Sequence, residues 1–598
     1  MKHDKYKWLG SAICLALMLV TVGCSQDDLT GGDGKTDGVK PTSYVTLSLA
    51  MPSSTGTRAA GGETGNGLEK GQSYENVIRS AVAFFYQGTG ANDTGNPNIL
   101  AAVSFTFPEN DGTDGTSPVD RTYTTQPQEV SLENGTYRVI VVANPGTDWW
   151  TGRNLKLDDV RNHIQEQAWT DNDGNYSNFL MSSASDATIT INSNPEEAPA
   201  ETTVEVERMA ARIDYRNKED NFTCGDGSGM VEITGAAIVN DYTAGSYLLK
   251  RTADDVNGGT CEYLGDEKAD ATTGAGQNYV IDPLTSQKSE TATTFHLPNG
   301  QTINGRAGLF GTYYPGTAQN TDPGYWDELC AEGDVITVSN NGVDEKWRRI
   351  GYTLENTTPA DASGYDYNTA VVFKAKFTPA EGSVTGTYDY EAGGQTFFKY
   401  MGVLYATVED MMDIFYQKED VITTYFDTEI AACKTYGDVG KFVAELEETS
   451  PVDPSGYVTY LKDIVDGKAS TETIAESDLR WSTYMKEKCG YVNDNGTVRL
   501  NQAGKIVTRN ALKPYGVNTY ENAVCYYTWL VKHANDGNDN VTGKMEYGIV
   551  RNNIYKLEVE SVSKLGGDIP GEDDEDDNII IRAKVNDWIL LKPETIIM

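Results

Sequence analysis

The chain has 598 residues, about twice the length at which a single hydrophobic core stops growing, which excludes a one-core domain. Glycine (60) and tyrosine (35) are plentiful, and Val, Ile, Thr and Tyr fill the periodic segments, so the chain reads as mainly β with many turns. A formal net charge of −40 repels phosphate backbones and anionic headgroups, which excludes nucleic acid as a partner and leaves an acidic surface protein.

Lys2, Lys5 and Lys7 form a basic start, and the apolar run Trp8 to Val20 is too short to anchor in a bilayer. Residues 1–23 are therefore expected to be a signal peptide. The stretch Val20-Thr21-Val22-Gly23-Cys24 resembles a bacterial lipobox, in which the cysteine is acylated and becomes the new amino terminus. Thr21 departs from the usual leucine, and a chance cysteine beside an ordinary cleavage site is the alternative. Ser25-Gln26-Asp27-Asp28 is similar to the acidic tag that routes such lipoproteins to the outer surface.

Residues 26–43, rich in Gly, Asp and Thr, read as a tether. Val45, Leu47, Leu49 and Met51 then alternate with small residues, which predicts a strand at Tyr44 to Met51 with one apolar face. Pro52 to Gly62 follows as a flexible run that presents Arg58, with Ala59 behind it, to a trypsin-like protease. Local sequence alone favours an ordinary solvated linker arginine. A cut at Arg58 would remove both the lipid and the strand, leaving an apolar groove lined by unpaired backbone.

Strands are predicted at Val77 to Tyr86, Val103 to Phe107, Tyr137 to Ala143 and Ala187 to Ile191. The spacing of Leu157, Val160 and Ile164 behind Asp158 and Asp159 predicts a short helix. Val204 to Tyr215 reads as one long strand, with a domain boundary near residue 217. In the second half, Val439, Phe442, Val443 and Leu446 share a helix face behind Asp438, and Cys525 to His533 and the run ending at Val559 read as strands.

The pair Cys525-Tyr-Tyr-x-Trp-x-x-x-His533 and Met545-Glu-Tyr-Gly-Ile-Val-Arg-Asn-Asn-Ile-Tyr-Lys-Leu557 resembles the carboxy-terminal signature of the Mfa-type fimbrillins, shaft subunits of type V pili in Bacteroidales. Phe179-Leu-Met-Ser-Ser183 and Val206-Glu-Arg-Met-Ala-Ala-Arg-Ile213 are similar to the amino-terminal fimbrillin domain. The resemblance covers both ends and the domain junction and leaves roughly residues 220–510 unmatched. It implies two β-sandwich-like, transthyretin-like domains with a few short helices. The expected layout is a signal peptide (1–23), a propeptide (24–58), an amino-terminal domain (59–217), a carboxy-terminal domain (218–571) and a terminal segment (572–598).

Six consecutive acids, Glu572 to Asp577, form a solvated spacer rather than a calcium loop, since they lack its alternating ligands and turn glycine. Ile579, Ile581, Ala583 and Val585 then share a face, and the chain ends in the apolar run Trp588 to Met598. A terminal strand packs by default into its own domain. Paired with a removable strand and the resemblance, it implies donor-strand exchange, with Trp588, Ile589, Leu590, Leu591, Ile596 and Ile597 filling a neighbour's groove.

The resemblance implies as partners identical subunits head to tail, accessory anchor and tip pilins, an Arg-specific protease during maturation, and host or bacterial surface receptors. It places the chain in a cell-surface fimbrium, reached through an outer-membrane lipoprotein intermediate, with membrane contact only through the precursor lipid.

No catalytic residue, cofactor or metal site is expected. His163, His296 and His533 fall in no catalytic or metal spacing, and His533 reads as a packing residue. Cys224, Cys261, Cys330, Cys433, Cys489 and Cys525 are scattered, with one or two disulfides allowed and their pairing open. The competing readings are a surface glycan-binding lipoprotein, with Trp149 and Trp150 as stacking platforms, and an anchor or tip pilin.

Overall fold

A computed structural model describes residues 42–50, 68–88, 96–107, 123–165, 167–172, 175–184, 186–241, 245–249, 323–340, 343–356, 369–407, 410–411, 428–449, 457–475, 479–480, 492–494, 497–499, 516–533, 548–570 and 579–589. Cys24, Met51, Arg58, Ala59, Cys261, His296, Cys489, the acidic run at 572–577, Leu590, Leu591, Ile596 and Ile597 lie outside these residues.

The first fourteen strands are β1 (Thr42–Ala50), β2 (Leu68–Lys70), β3 (Ser80–Tyr86), β4 (Ile99–Thr106), β5 (Tyr123–Thr124), β6 (Gln128–Ser131), β7 (Gly135–Ala143), β8 (Ile164–Gln165), β9 (Thr170–Asn172), β10 (Asn175–Ser177), β11 (Met181–Ser183), β12 (Ala187–Ile191), β13 (Ala200–Arg208) and β14 (Ala211–Asn217). Those that follow are β15 (Phe222–Thr223), β16 (Gly229–Val239), β17 (Ser246–Tyr247), β18 (Asp334–Asn340), β19 (Val343–Thr353), β20 (Ala370–Pro379), β21 (Val384–Thr385), β22 (Phe397–Tyr400), β23 (Val403–Tyr405), β24 (Val492–Asp494), β25 (Thr497–Arg499), β26 (Val517–Tyr520), β27 (Val524–Leu530), β28 (Asn553–Val562) and β29 (Ile579–Ile589). The helices are α1 (Leu157–Arg161), α2 (Pro323–Leu329), α3 (Tyr436–Thr449) and α4 (Tyr457–Val465). The chain is mainly β, with few and short helices.

A nine-stranded sheet runs β4-β3-β7-β11-β13-β1-β5, with β12 on β7 and β6 on β1. Its strands are buried on alternate faces in two cores. Ala81, Ala83 and Phe85 join Val139, Val141, Val204 and β1 in one, while Val82, Phe84 and Tyr86 join Ile140, Trp150, Leu157 and Leu248 in the other. That double burial explains why β3 and β7 read as near-continuous apolar runs rather than clean alternations.

A six-stranded sheet, β18-β19-β14-β28-β29-β2, packs on a four-stranded one, β15-β16-β20-β27. Between them lies one core, in which Ile213, Tyr215, Leu557 and Val559 of the first meet Val231, Phe373, Ala375 and Tyr527 of the second. A bulge interrupts the pairing of β16 with β20 between Ile233 and Gly235. A side chain at Gly235 would press on the carbonyl of Ala331 at 2.8 Å, so the close backbone crossing there requires glycine. α3 and α4 cover a separate core with the β22–β23 hairpin.

Two local expectations change, and four cysteines can be placed. The run Val204 to Tyr215 is two strands, because the chain breaks at Met209-Ala210 and moves from the nine-stranded to the six-stranded sheet. Ile164 leaves the helix, which ends at Arg161, and pairs in β8 with Tyr247. Cys224, Cys330, Cys433 and Cys525 are free, buried thiols. Burial pushes Cys224 up to about 11 and Cys525 to about 12, so both behave as small core hydrophobes.

Candidate assembly groove and buried charge network

β1 sits inside its sheet rather than at an edge. On one side it runs parallel to β13, Val45 opposite Ala200 through Ala50 opposite Glu205. On the other side it runs antiparallel to β6 and β5. Val45, Leu47 and Leu49 are fully buried. Leu47 is further pinned by its amide, which donates to Thr125 Oγ1 at 2.9 Å, and by its carbonyl, which accepts from the Thr125 amide at 2.9 Å. Taking β1 away would therefore open a slot with a backbone edge on each wall and three apolar sockets on its floor. Burial of those three side chains contributes about 5–9 kcal/mol gross at ordinary transfer values.

At the other end of the chain, β29 pairs antiparallel with β28 from Ile579 opposite Val562 to Asp587 opposite Asn553. From Asp587 onward the same strand pairs parallel with β2: Leu68 lies opposite Asp587, Glu69 opposite Trp588 and Lys70 opposite Ile589. Trp588 and Ile589 are thus the last two residues of a strand integrated in the subunit's own sheet. The strand predicted from the alternation of Ile579 to Val585 extends in its backbone to Ile589.

Charged residues that carry the family resemblance meet in the interior, which the sequence reading did not anticipate. Arg212 of β14 is fully buried among three carboxylates: Asp214 Oδ2 at 2.9 Å, Glu75 Oε2 at 2.9 Å, and Glu69. Lys556 of β28 completes the set, 2.9 Å from Glu69 and 3.4 Å from Asp214. Arg208, also fully buried, donates to the Glu75 carbonyl at 3.0 Å and to Asn76, while its amide donates to Asn552 Oδ1 at 3.1 Å. Burial, partly offset by Glu75, pulls Arg208 down to about 9, so it stays charged at neutral pH. Arg212 is driven the other way: burial lowers it, but Asp214, Glu75 and Glu69 together raise it well above the ordinary arginine value. Arg212 and Lys556 thus share the carboxylates of Asp214, Glu75 and Glu69 in an interior where an unpaired charge would be costly.

A further buried cation, Arg551, holds Glu355 and donates to the carbonyls of Leu248 at 2.8 Å and Tyr247 at 2.6 Å. It also reaches Ser182 of β11 at 3.1 Å, so one guanidinium ties the nine-stranded sheet to the carboxy-terminal strands. Next to it, Asn552 adopts a left-handed backbone (φ 58°) and its amide donates to the Ala210 carbonyl at 2.8 Å. Asparagine tolerates that conformation better than most residues, which gives the Arg-Asn-Asn sequence a physical reason. The signal available in sequence was the unusual density of arginine within otherwise β-alternating segments.

The remaining candidates are accounted for by packing. Trp149 stacks on His163 (centroids 3.9 Å, 13° between planes) and on Phe84 (5.6 Å, 25°). His533 is buried, its Nδ1 3.0 Å from the Tyr555 hydroxyl. Among the described residues no group of three or more His, Cys, Asp or Glu is placed to hold a metal ion. Among them, too, no helix is long and apolar enough to cross a membrane.

Fold and site define a class: a mainly β protein whose first described strand fills an internal slot and whose last described strand lies between β28 and β2 in a second sheet. Within that class, residues 518–593 match the family model described as "Major fimbrial subunit protein type IV, Fimbrillin, C-terminal". Among solved structures the chain is similar to a fimbrilin of Porphyromonas gingivalis W83 (11% identity, 93% of this chain and 100% of that one, TM-score 0.37). It is also similar to the tip fimbrial protein Mfa3 of Porphyromonas gingivalis with C-terminal truncation (10% identity, 92% and 100% covered, TM-score 0.30). No curated protein sequence matches it.

Proposed function

We propose that this chain is the precursor of a shaft subunit of a cell-surface type V fimbrium. It is lipidated at Cys24, cut after Arg58 by an Arg-specific protease, and polymerised when the tail of one subunit occupies the slot vacated by β1 in the next. The observation that carries this reading is the placement of β1, an apolar strand paired on both edges within a sheet and followed by the run that holds Arg58. The match of residues 518–593 to the major fimbrial subunit family supports the fimbrial role.

Refilling the slot with about five large side chains would contribute roughly 8–15 kcal/mol gross. Ordering some ten backbone residues costs roughly 1–2 kcal/mol each, so the net gain comes from the new ladder and from contacts flanking it. Amino-terminal sequencing of protein sheared from cells, together with mild heating in detergent, tests the scheme. Ala59 as first residue and a ladder of multimers are expected; intact acylated monomers as the sole surface species would refute it.

The glycan-binding alternative depends on free aromatic faces, and Trp149 is sandwiched between His163 and Phe84. An anchor subunit would retain residues 24–58, and a tip subunit would need no tail, so the same sequencing and a tail truncation separate these roles from the shaft.

A further inference from the structure

We propose that Leu68–Lys70 is a clamp on the root of the donated tail, holding Asp587–Ile589 in the subunit that owns them so that only the chain beyond Ile589 passes to the neighbour. The inference rests on the strand-exchange reading above and divides the terminal segment into an anchored part and a donated part. The β28 ladder ends at Asp587, so the backbone of Trp588 and Ile589 is matched in the sheet by Glu69 and Lys70 of β2. A three-residue parallel strand is a weak element by itself and its register is easily lost.

Its position is set instead by Glu69, whose buried carboxylate is shared between Arg212 and Lys556. A shift of β2 along β29 would withdraw that carboxylate and leave two buried cations short of a partner, which ties the register of the clamp to the charge balance of the interior. β2 follows Arg58 in the chain, so proteolysis there removes β1 and spares the clamp. Glu69 is accordingly a positioning residue for the tail.

Hydrogen exchange read residue by residue on the full-length chain tests this. The double variant Glu69→Gln, Lys556→Met removes one carboxylate and one ammonium together and leaves the net charge of the interior unchanged. Exchange at the one amide of the Trp588–Ile589 pair that faces β2 should rise at least about tenfold, while protection at Ile580 to Ala583 stays as in the wild type. Unchanged exchange at Trp588 and Ile589 in a variant that keeps protection at 580–583 overturns the clamp. Should the double variant not fold, Glu69→Asp, which keeps the charge and shortens its reach, should give a smaller rise at the same amide, and no rise again overturns it.

In assembled wild-type protein, protection at Asp587–Ile589 should equal that in the monomer, with new protection beginning after Ile589. Protection newly gained or lost at Trp588 and Ile589 on assembly would place them in the donated part and refute the division. Failure of the wild type to form multimers refutes the polymer reading instead, and leaves the monomer comparison standing as a separate result.

Discussion

At the scale of single residues, the interior of this protein is held by arginines that its β-pattern would not lead one to expect. Arg212 cannot be replaced by a hydrophobe without leaving Glu69, Glu75 and Asp214 with Lys556 as their remaining cation in that set. Breaking a buried ion network by removing one partner typically costs about 3–5 kcal/mol, since the orphaned charges stay desolvated. Arg212→Met should lower the unfolding free energy of the full-length chain, read from urea titration, by that amount. Arg216→Met, which removes a half-exposed partner of Glu558 and Glu345, should cost no more than about 1 kcal/mol. Equal losses would mean that the interior network is not what holds these strands in place.

At the scale of elements, the start of α3 shows how a sequence pattern becomes a titratable contact. Asp438 Oδ2 accepts from the amides of Lys434 and Thr435, each at 3.0 Å, while the Asp438 amide donates back to Thr435 Oγ1. The Lys434 amide foremost, then the Thr435 hydroxyl and amide, hold the Asp438 carboxyl below its ordinary pKa. A depressed folded pKa means the cap contributes fully above the unfolded value of about 3.9 and is lost as pH falls through the lower folded value. Amide exchange in the first turn of α3 should therefore accelerate in that acid window, and Asp438→Asn should abolish the pH dependence. Thr435→Ala should destabilise the helix start by about 0.5–2 kcal/mol at neutral pH.

The slot of β1 supports a second prediction at this scale. A peptide of the sequence Thr42–Ala50 should bind Arg58-cleaved monomer and block its assembly, whereas the same peptide with Leu47→Asp, which would push a carboxylate into a fully buried socket, should do neither. Inhibition by both peptides would show that the slot is not the target.

Much of this element-level structure was legible beforehand because it rests on local periodicity. The alternation of Val45, Leu47 and Leu49, the strand Ala187–Ile191 and the α3 face of Val439, Phe442 and Val443 all stand where the pattern put them. The break at Met209-Ala210 was not legible, because both halves alternate equally well and the switch of sheet is decided by Arg208 reaching Asn552, far away in sequence. Nor was the pairing of β2 with β29, since three residues carry no period and the carboxylate that fixes them has distant partners.

At the scale of the whole molecule, the proposed exchange gives each subunit one slot and one tail, so its head-to-tail contacts would not close on themselves and the product would be a filament. That asymmetry yields a test which single-subunit stability measurements cannot give. A full-length Arg58→Ala subunit would keep β1 in its slot and could donate a tail but not accept one. A subunit ending before Trp588 could accept but not donate. Each would stop growth, and at opposite ends. Mixed into otherwise wild-type protein at about one subunit in ten, either should cut the mean filament to about ten subunits, because growth ends when a terminator is added. Length distributions from electron microscopy across a series of mixing ratios should fall inversely with the terminator fraction for both variants. Lengths insensitive to either variant would mean that subunits associate laterally or through another surface, and the slot and the tail would then have to be read as ordinary parts of a self-contained fold.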